Sequence, residues 1–428
     1  MAAPVRDLLR SLFRRIIRIY FRDIVVSGNI PGRETGARLF AANHVNGLVD
    51  PILVLTNAQC AISPIAKSTL WSIPGLRWLL DAAHAVPIVR RKDAPEKNAE
   101  ENDRIFQKIS THLGSGGNIL IFPEGTSHNE PHLVPLRTGA ARMLSKAQAE
   151  SSRAITFQAV GLEFDARSTF RSNVLVLFGP VRSVADFPAG EERATAITNT
   201  IKNDLSSLVI EAPSWEARIA LAHVAEMFSN NGEAGSLLDR HSIGQQANRY
   251  REILEKAAGD ELKAIVQAVE AYFAHLDAAR TTDRFVAQGI RFDRGRAFRG
   301  ALLVLLLPLS LLGMVLYYIP YLLPRVVGRT AKGEIDVVST YKLGTGLLVF
   351  PLWFAILALA IHFTAPPPYN PWGIAIAALA PFAALPYVDR EDALRSMLSL
   401  LRTDELSSLR EERRSVLQKL EAARLTAG

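Results

Sequence analysis

The sequence predicts an α/β domain built on an open sheet, followed by a helical region and C-terminal membrane helices. Three observations lead there. Short apolar runs alternate with helix-patterned segments from about residue 30 to 185. Residues 190–298 turn polar, charged and alanine-rich. From Ala301 onward come long uncharged stretches, the first flanked by Arg299 and Arg325. The expected divisions are 1–28, a basic amphipathic membrane-interface helix; 29–187, the α/β domain; 188–298, a helical region; 299–388, two or three membrane segments; and 389–428, a charged C-terminal helix.

Composition supports this division. The 428 residues are 49% hydrophobic and 21% charged, a balance that fits a soluble body joined to apolar segments. A net charge of +7 and a pI near 9.5 favour anionic surfaces or substrates. The basic residues stand beside apolar runs rather than base-stacking aromatics, so acidic lipid or a phosphorylated metabolite is expected and nucleic acid is not. Cys60 is the single cysteine. It excludes an intrachain disulfide and a cysteine-cluster metal site, and it fits a reducing, cytosol-facing domain.

Residues 5–24 read as an amphipathic helix. At about 100° per residue, Leu8, Leu9, Leu12, Phe13, Ile16, Ile17, Ile19 and Tyr20 fall on one half of the wheel, and Arg10, Arg14, Arg15, Arg18 and Arg22 on the other. Such a helix lies flat in the headgroup region with guanidiniums against lipid phosphates. The other reading is a surface helix packed on the protein's own core. No uninterrupted apolar stretch marks a secretory signal.

Buried strands are expected at Leu39–Ala42, Val86–Val89, Ile119–Phe122, Ile155–Val160 and Val174–Phe178, with helices over 70–82, 97–113 and 138–150. Beyond the helical region, Ala301–Pro324 is free of charge for 24 residues. As a helix it would reach roughly 36 Å, enough for a hydrocarbon core of about 30 Å. Leu343–Ala365 is a second span, and Trp372–Val388 a shorter third one for which a buried soluble core is the alternative. Two spans are favoured over three, and Pro308, Pro320 and Pro351 leave re-entrant geometry open. Arginines at 291, 294, 296 and 299 weigh against Arg325, Arg329, Lys332 and Lys342 in the following loop. The positive-inside rule then puts the α/β domain on the cytoplasmic side of a membrane, the inner membrane in a bacterium. The tail carries Leu394, Leu398, Leu401, Leu406 and Leu409, too irregular a spacing for a coiled coil.

Two short runs carry chemistry, and each follows an expected strand, where an open α/β sheet places its site. In His44-Val-Asn-Gly-Leu-Val-Asp50, the histidine is a candidate base and the aspartate a partner for its other ring nitrogen. Six residues of separation amount to about 240° on a helix. His44 therefore belongs in a turn, with Asp50 at the start of the next helix as an N-cap before Pro51. The second run, Phe122-Pro-Glu-Gly-Thr-Ser127, offers a turn and a carboxylate that can organise a polar ligand. His128 and His132 lie nearby and complete no metal-ligand set, so both are expected to be loop histidines.

Asn43-His44-Val-Asn46-Gly-Leu-Val-Asp50-Pro51, with Phe122-Pro-Glu124-Gly125-Thr126-Ser-His128, resembles the glycerolipid acyltransferases related to glycerol-3-phosphate and lysophosphatidate acyltransferases. Most members place four residues between the histidine and the aspartate. This chain has five, as in the fungal-type glycerol-3-phosphate/dihydroxyacetone-phosphate subgroup. Ala66-Lys67-Ser68, Val86-Pro-Ile-Val-Arg90, Leu133-Val-Pro-Leu-Arg137-Thr-Gly139 and Phe170-Arg171-Ser172 look like the same subgroup, over roughly residues 15–185. The resemblance implies that His44 and Asp50 are the catalytic pair and that Arg90, Glu124, Gly125 and Thr126 bind the acceptor, with Lys67 and Arg137 as further phosphate contacts. His84 stands where the family usually has glycine. The implied activity is transfer of a fatty acyl group from acyl-CoA or acyl-carrier protein, without a cofactor or metal, to the primary hydroxyl of glycerol 3-phosphate. The alternatives are a lysophosphatidate or other lysolipid acceptor, and a non-catalytic lipid-binding membrane scaffold.

Overall fold

A computed structural model describes residues 3–89, 98–231, 236–257, 259–289, 294–331, 334–389 and 403–427. Two compact units divide the chain: Met1–Glu211 with Glu334–Val337, and Ala212–Gly333 with Val338–Gly428.

The first unit holds a seven-stranded sheet. Its strands are β1 (Asp23–Gly28), β2 (Arg38–Ala42), β3 (Ser63–Lys67), β4 (Val86–Ile88), β5 (Asn118–Ile121), β6 (Thr156–Phe164) and β7 (Asn173–Ser183), in the order β1-β7-β6-β2-β5-β3-β4. β2, β3, β4, β5 and β6 run parallel, and the β6–β7 pair is antiparallel. The five expected strands are present, and β1 and β3 are additional. β1 is a half-buried edge strand, and β3 carries Pro64 near its start, so neither shows a buried apolar run.

Side chains alternate across the sheet. Leu39, Ala41, Ile119, Phe157 and Ala159 face helices α4 (Asn98–Gly114), α5 (Gly139–Glu150) and α6 (Glu192–Leu208), whose Ile109, Leu113, Met143, Leu144, Ile197, Ile201 and Leu205 complete the core. Phe40 points the other way and meets Phe178 edge-on. There α2 (Val49–Asn57) lies against β7, and α1 (Ala3–Tyr20) against α2. The short α3 (Leu76–Ala82) leads into β4.

The N-terminal helix stops at Tyr20, because Asp23 already begins β1; the expected run to residue 24 is corrected accordingly. Its apolar half is divided. Ile17 and Tyr20 are buried in the unit, while Leu8 and Leu12 are 69% and 49% exposed. Arg171, in the loop before β7, closes the helix end. Its backbone N–H donates to Tyr20 O at 2.7 Å, and Nη1 donates to the carbonyls of Arg18, Ile19 and Phe21.

In the second unit, α7 (Trp215–Asn231), α8 (Leu237–Ala257), α9 (Gly259–Ala278), α10 (Asp283–Gln288) and the tail helix α15 (Thr403–Ala427) pack together. Leu409, Val416 and Leu417 of the tail join Val224, Met227, Val269, Tyr272 and Leu276 in one core. Leu394, Leu398 and Leu401 lie outside the described residues. The same unit carries α11 (Arg294–Leu316), α12 (Tyr318–Arg329), α13 (Ile335–Thr364, from Val338 onward) and α14 (Asn370–Val388).

Among the described residues, two helices are long and apolar enough to cross a membrane, Ile335–Thr364 and Pro367–Val388. The expected continuous span 301–324 is instead two helices meeting at 55°. Pro320 has no N–H for the Leu316 carbonyl, and the Trp353 indole donates to that carbonyl instead, at 2.8 Å. Gly313 lets α11 and α14 approach closely, since a β-carbon there would come within 2.2 Å of the Ala380 carbonyl oxygen.

Candidate active site

Strands β2 and β5 are parallel neighbours, with Ala41 opposite Ile121. Their C-terminal ends therefore lie side by side and bring the turns at 43–48 and 122–128 together, although about eighty residues separate them in sequence.

Asp50 organises the first turn. Its Oδ2 accepts from His44 Nδ1 at 2.9 Å, from Val45 N at 2.8 Å and from Asn46 N at 2.7 Å. The aspartate is fully buried. It is not the N-cap: α2 begins at Val49, and Leu48 holds the cap position. Asp50 instead sits inside the first turn and reaches back over the loop, where negative charge also suits the helix N-terminus. With Nδ1–H committed to Asp50, the lone pair of His44 is on Nε2, which has no partner among the described residues. Phe122 stacks on the imidazole, centroids 4.0 Å apart and planes 20° apart. The arrangement is that of a base whose tautomer and ring plane are both fixed by its neighbours.

Glu124 is buried and committed at both oxygens. Oε1 accepts from His44 N at 3.4 Å, and Oε2 from His128 Nε2. His128 is thus part of the site rather than a loop bystander. Its own N–H donates to His44 O at 3.2 Å, and Glu130 N donates to its Nδ1 at 3.1 Å. The one trace of this in the sequence is the four-residue step from Glu124. His132 is exposed in the following loop.

Gly125 takes a left-handed φ of 78° and lets Arg137 lie across it. Arg137 N donates to Pro123 O at 2.8 Å, while its exposed guanidinium has no hydrogen-bond or ion-pair partner among the described residues. Thr126 is half-buried, its hydroxyl turned to Ser127 O. Lys67 is half-buried at the C-terminal end of β3, the neighbour of β5 and so on the same edge of the sheet. Arg90 lies outside the described residues. His84 adopts a left-handed φ of 53° and thereby keeps the backbone shape that a glycine would give. Among the described residues, no group of three or more His, Cys, Asp or Glu side chains could hold a metal ion.

Sequence reasoning missed Arg167, in the loop between β6 and β7. Its Nη1 donates to Val45 O at 2.8 Å and His128 O at 3.3 Å, and its carbonyl accepts from Asn46 Nδ2 at 3.2 Å.

Residues 23–161 match the acyltransferase family model. Glycerol-3-phosphate O-acyltransferase 2 of Saccharomyces cerevisiae is 28% identical over 200 residues, 44% of this chain and 26% of that protein. Lyso-ornithine lipid O-acyltransferase of Pseudomonas aeruginosa is 29% identical over 145 residues, 34% of this chain and 50% of that protein. The crystal structure of the 1-acyl-sn-glycerophosphate acyltransferase PlsC from Thermotoga maritima covers 47% of this chain and 79% of its own, with 19% identity and a TM-score of 0.36. The chain thus spans about a quarter of the yeast relative and half of the bacterial one. Residues 23–161 form an acyltransferase domain, similar to parts of glycerol-3-phosphate and lyso-ornithine lipid acyltransferases, in a chain that also carries helices long and apolar enough to cross a membrane.

Proposed function

We propose that the protein transfers a fatty acyl group from acyl-CoA or acyl-carrier protein to the primary hydroxyl of glycerol 3-phosphate, as in the fungal-type subgroup. The observation that carries this reading is His44 held by Asp50 at 2.9 Å, with Nε2 unpartnered among the described residues. His44 takes the hydroxyl proton as the oxygen attacks the thioester carbonyl carbon. The tetrahedral intermediate collapses with cleavage of the C–S bond, and the imidazolium returns the proton to the leaving thiolate. The substrate hydroxyl occupies the place a nucleophilic serine holds in a triad, so no acyl-enzyme forms.

Arg137, Lys67 and Arg90 are the proposed phosphate contacts. A guanidinium fork suits a phosphate dianion, and the Arg137 guanidinium, without a partner among the described residues, supports that role. Gly125 and Thr126 shape the acceptor side of the turn. Glu124 has a positioning role, since both of its oxygens are committed to His44 N and His128 Nε2. The lipid product passes into the bilayer from a domain whose α1 lies in the headgroup region. Leu8 and Leu12 face the acyl chains and Arg15 and Arg18 the lipid phosphates, and the domain faces the cytoplasm.

A second reading keeps the chemistry and exchanges the acceptor for a lysolipid. It is favoured by the similarity to the Pseudomonas lyso-ornithine lipid O-acyltransferase. Offering palmitoyl-CoA with glycerol 3-phosphate or lysophosphatidate to the detergent-purified protein separates the two. Acylation of glycerol 3-phosphate supports the first reading, and acylation of the lysolipid alone replaces it with the second.

A further inference from the structure

We infer that Arg167 and His128, which lie outside the base–carboxylate pair, are positioning residues that clasp the two catalytic turns together and so fix where His44 stands. The inference rests on the acyl-transfer reading above. Asp50 sets the internal shape of the 43–48 turn, through its bonds to His44, Val45 and Asn46. It does not set where that turn stands relative to the 122–128 turn. That distance is held by cross-links of another kind. One is His44 N to Glu124 Oε1, long at 3.4 Å. Another is His128 N to His44 O at 3.2 Å. The third is the Arg167 guanidinium, whose Nη1 bridges Val45 O and His128 O.

Sheet order explains why Arg167 is available. β6 is parallel to β2 on the side away from β5, so the loop leaving β6 emerges beside the His44 turn. The guanidinium reaches across that turn to the His128 carbonyl, and the Arg167 carbonyl receives Asn46 Nδ2.

His128 locks the other side. Glu130 N donates to Nδ1 at 3.1 Å, which leaves the ring proton on Nε2 for Glu124 Oε2. Glu124 is then held with its second oxygen toward His44 N. Neither His128 nor Arg167 needs to touch substrate for this. Proton transfer requires Nε2 at hydrogen-bond reach of the hydroxyl, and a displacement of about 1 Å can cost on the order of a hundredfold in rate.

Four variants of the full-length protein in detergent test the clasp. Arg167→Met removes the bridging donors at similar length, and Arg167→Lys restores a cationic donor. His128→Ala removes the lock on Glu124, and His128→Gln returns an amide donor near the place of Nε2. For the Met and Ala variants the expected result is a kcat lower by about ten- to a hundredfold, with the acceptor KM within about twofold. The Lys and Gln variants should recover much of the loss.

Carbethoxylation of His44 by diethyl pyrocarbonate, followed by peptide mass spectrometry, reads the same geometry without turnover. It should run several-fold faster in the Met and Ala variants and near the wild-type rate in Lys and Gln, with the exposed His132 as internal control. Unchanged kcat together with unchanged His44 modification overturns the clasp. So does a raised KM at unchanged kcat, which would put these residues in acceptor binding. If the wild type acylates nothing, the proposed reaction falls and the modification rates still decide the clasp. Should Met or Ala fail to fold, Lys and Gln at wild-type levels of both readouts support the inference, and Lys and Gln as deranged as a loosened site contradict it.

Discussion

Gly125 and Arg137 share one volume: a β-carbon at position 125 would lie 2.6 Å from Arg137 Nε and 2.9 Å from its Cδ. The glycine is needed twice, for its left-handed φ of 78° and for the arginine stem that crosses it. Gly125→Ala should push the guanidinium off the turn, raise the KM for the phosphorylated acceptor and destabilise the fold by about 1–2 kcal/mol. Steady-state kinetics with a thermal melt check both parts. An unchanged KM would remove Arg137 from the acceptor site.

His84 occupies the position after α3 where helices commonly end in glycine. Ala85 N donates to Leu80 O at 2.9 Å and His84 N to Asp81 O at 3.1 Å, a Schellman pattern. The non-glycine residue at φ 53° carries steric strain. His84→Gly is expected to stabilise the protein by about 0.5–1 kcal/mol, read as a higher Tm with activity retained.

Arg413 and Asp283 join the tail helix to the helical unit. Asp283 accepts from Arg413 Nε at 2.7 Å, from the Tyr272 hydroxyl at 2.8 Å and from Asn230 Nδ2 at 2.9 Å, and both members of the ion pair are buried. Burial and the Asp283 carboxylate push the Tyr272 hydroxyl far above the ordinary tyrosine range. Arg413→Met leaves the carboxylate buried and unpaired and should cost about 3–5 kcal/mol, much of it recovered by adding Asp283→Leu. Denaturant melts of the single and double variants measure this coupling.

His112 gives a pH dependence with a definite sign. Burial, the largest influence, pushes its imidazole below the ordinary histidine value, partly offset by a hydrogen bond to the Asn118 backbone. The unfolded chain therefore binds this proton more readily than the folded one. Its contribution is fully present above the ordinary histidine pKa of about 6.5 and is lost as pH falls below it. Replacing His112 by Gln should flatten the decline of Tm between about pH 7 and 5; an identical decline would assign the effect to other groups.

The sequence displayed what depends on continuous burial. β2, β5, β6 and β7 are apolar on consecutive positions and were legible, as were α4 and α5. An edge strand such as β1, half-buried and only six residues long, has no such run. The tail leucines looked irregular because Leu409, Val416 and Leu417 serve a packed helical cluster rather than a two-helix seam. The first apolar run looked continuous because hydropathy does not register the broken hydrogen bond at Pro320. In the site, His44, Asp50 and Glu124 were legible from their own turns. The roles of His128 and Arg167 exist only because the sheet sets β6, β2 and β5 side by side, and strand order is not written in local pattern.

The measurement that tests the central claim most directly is the turnover number of the full-length protein and its His44→Ala variant, with palmitoyl-CoA and glycerol 3-phosphate, alongside a thermal melt of each. The account predicts a loss of at least about a hundredfold with the protein still folded, since Val45 N and Asn46 N continue to hold the buried Asp50 carboxylate. Turnover near the wild-type value in a folded His44→Ala protein would contradict it.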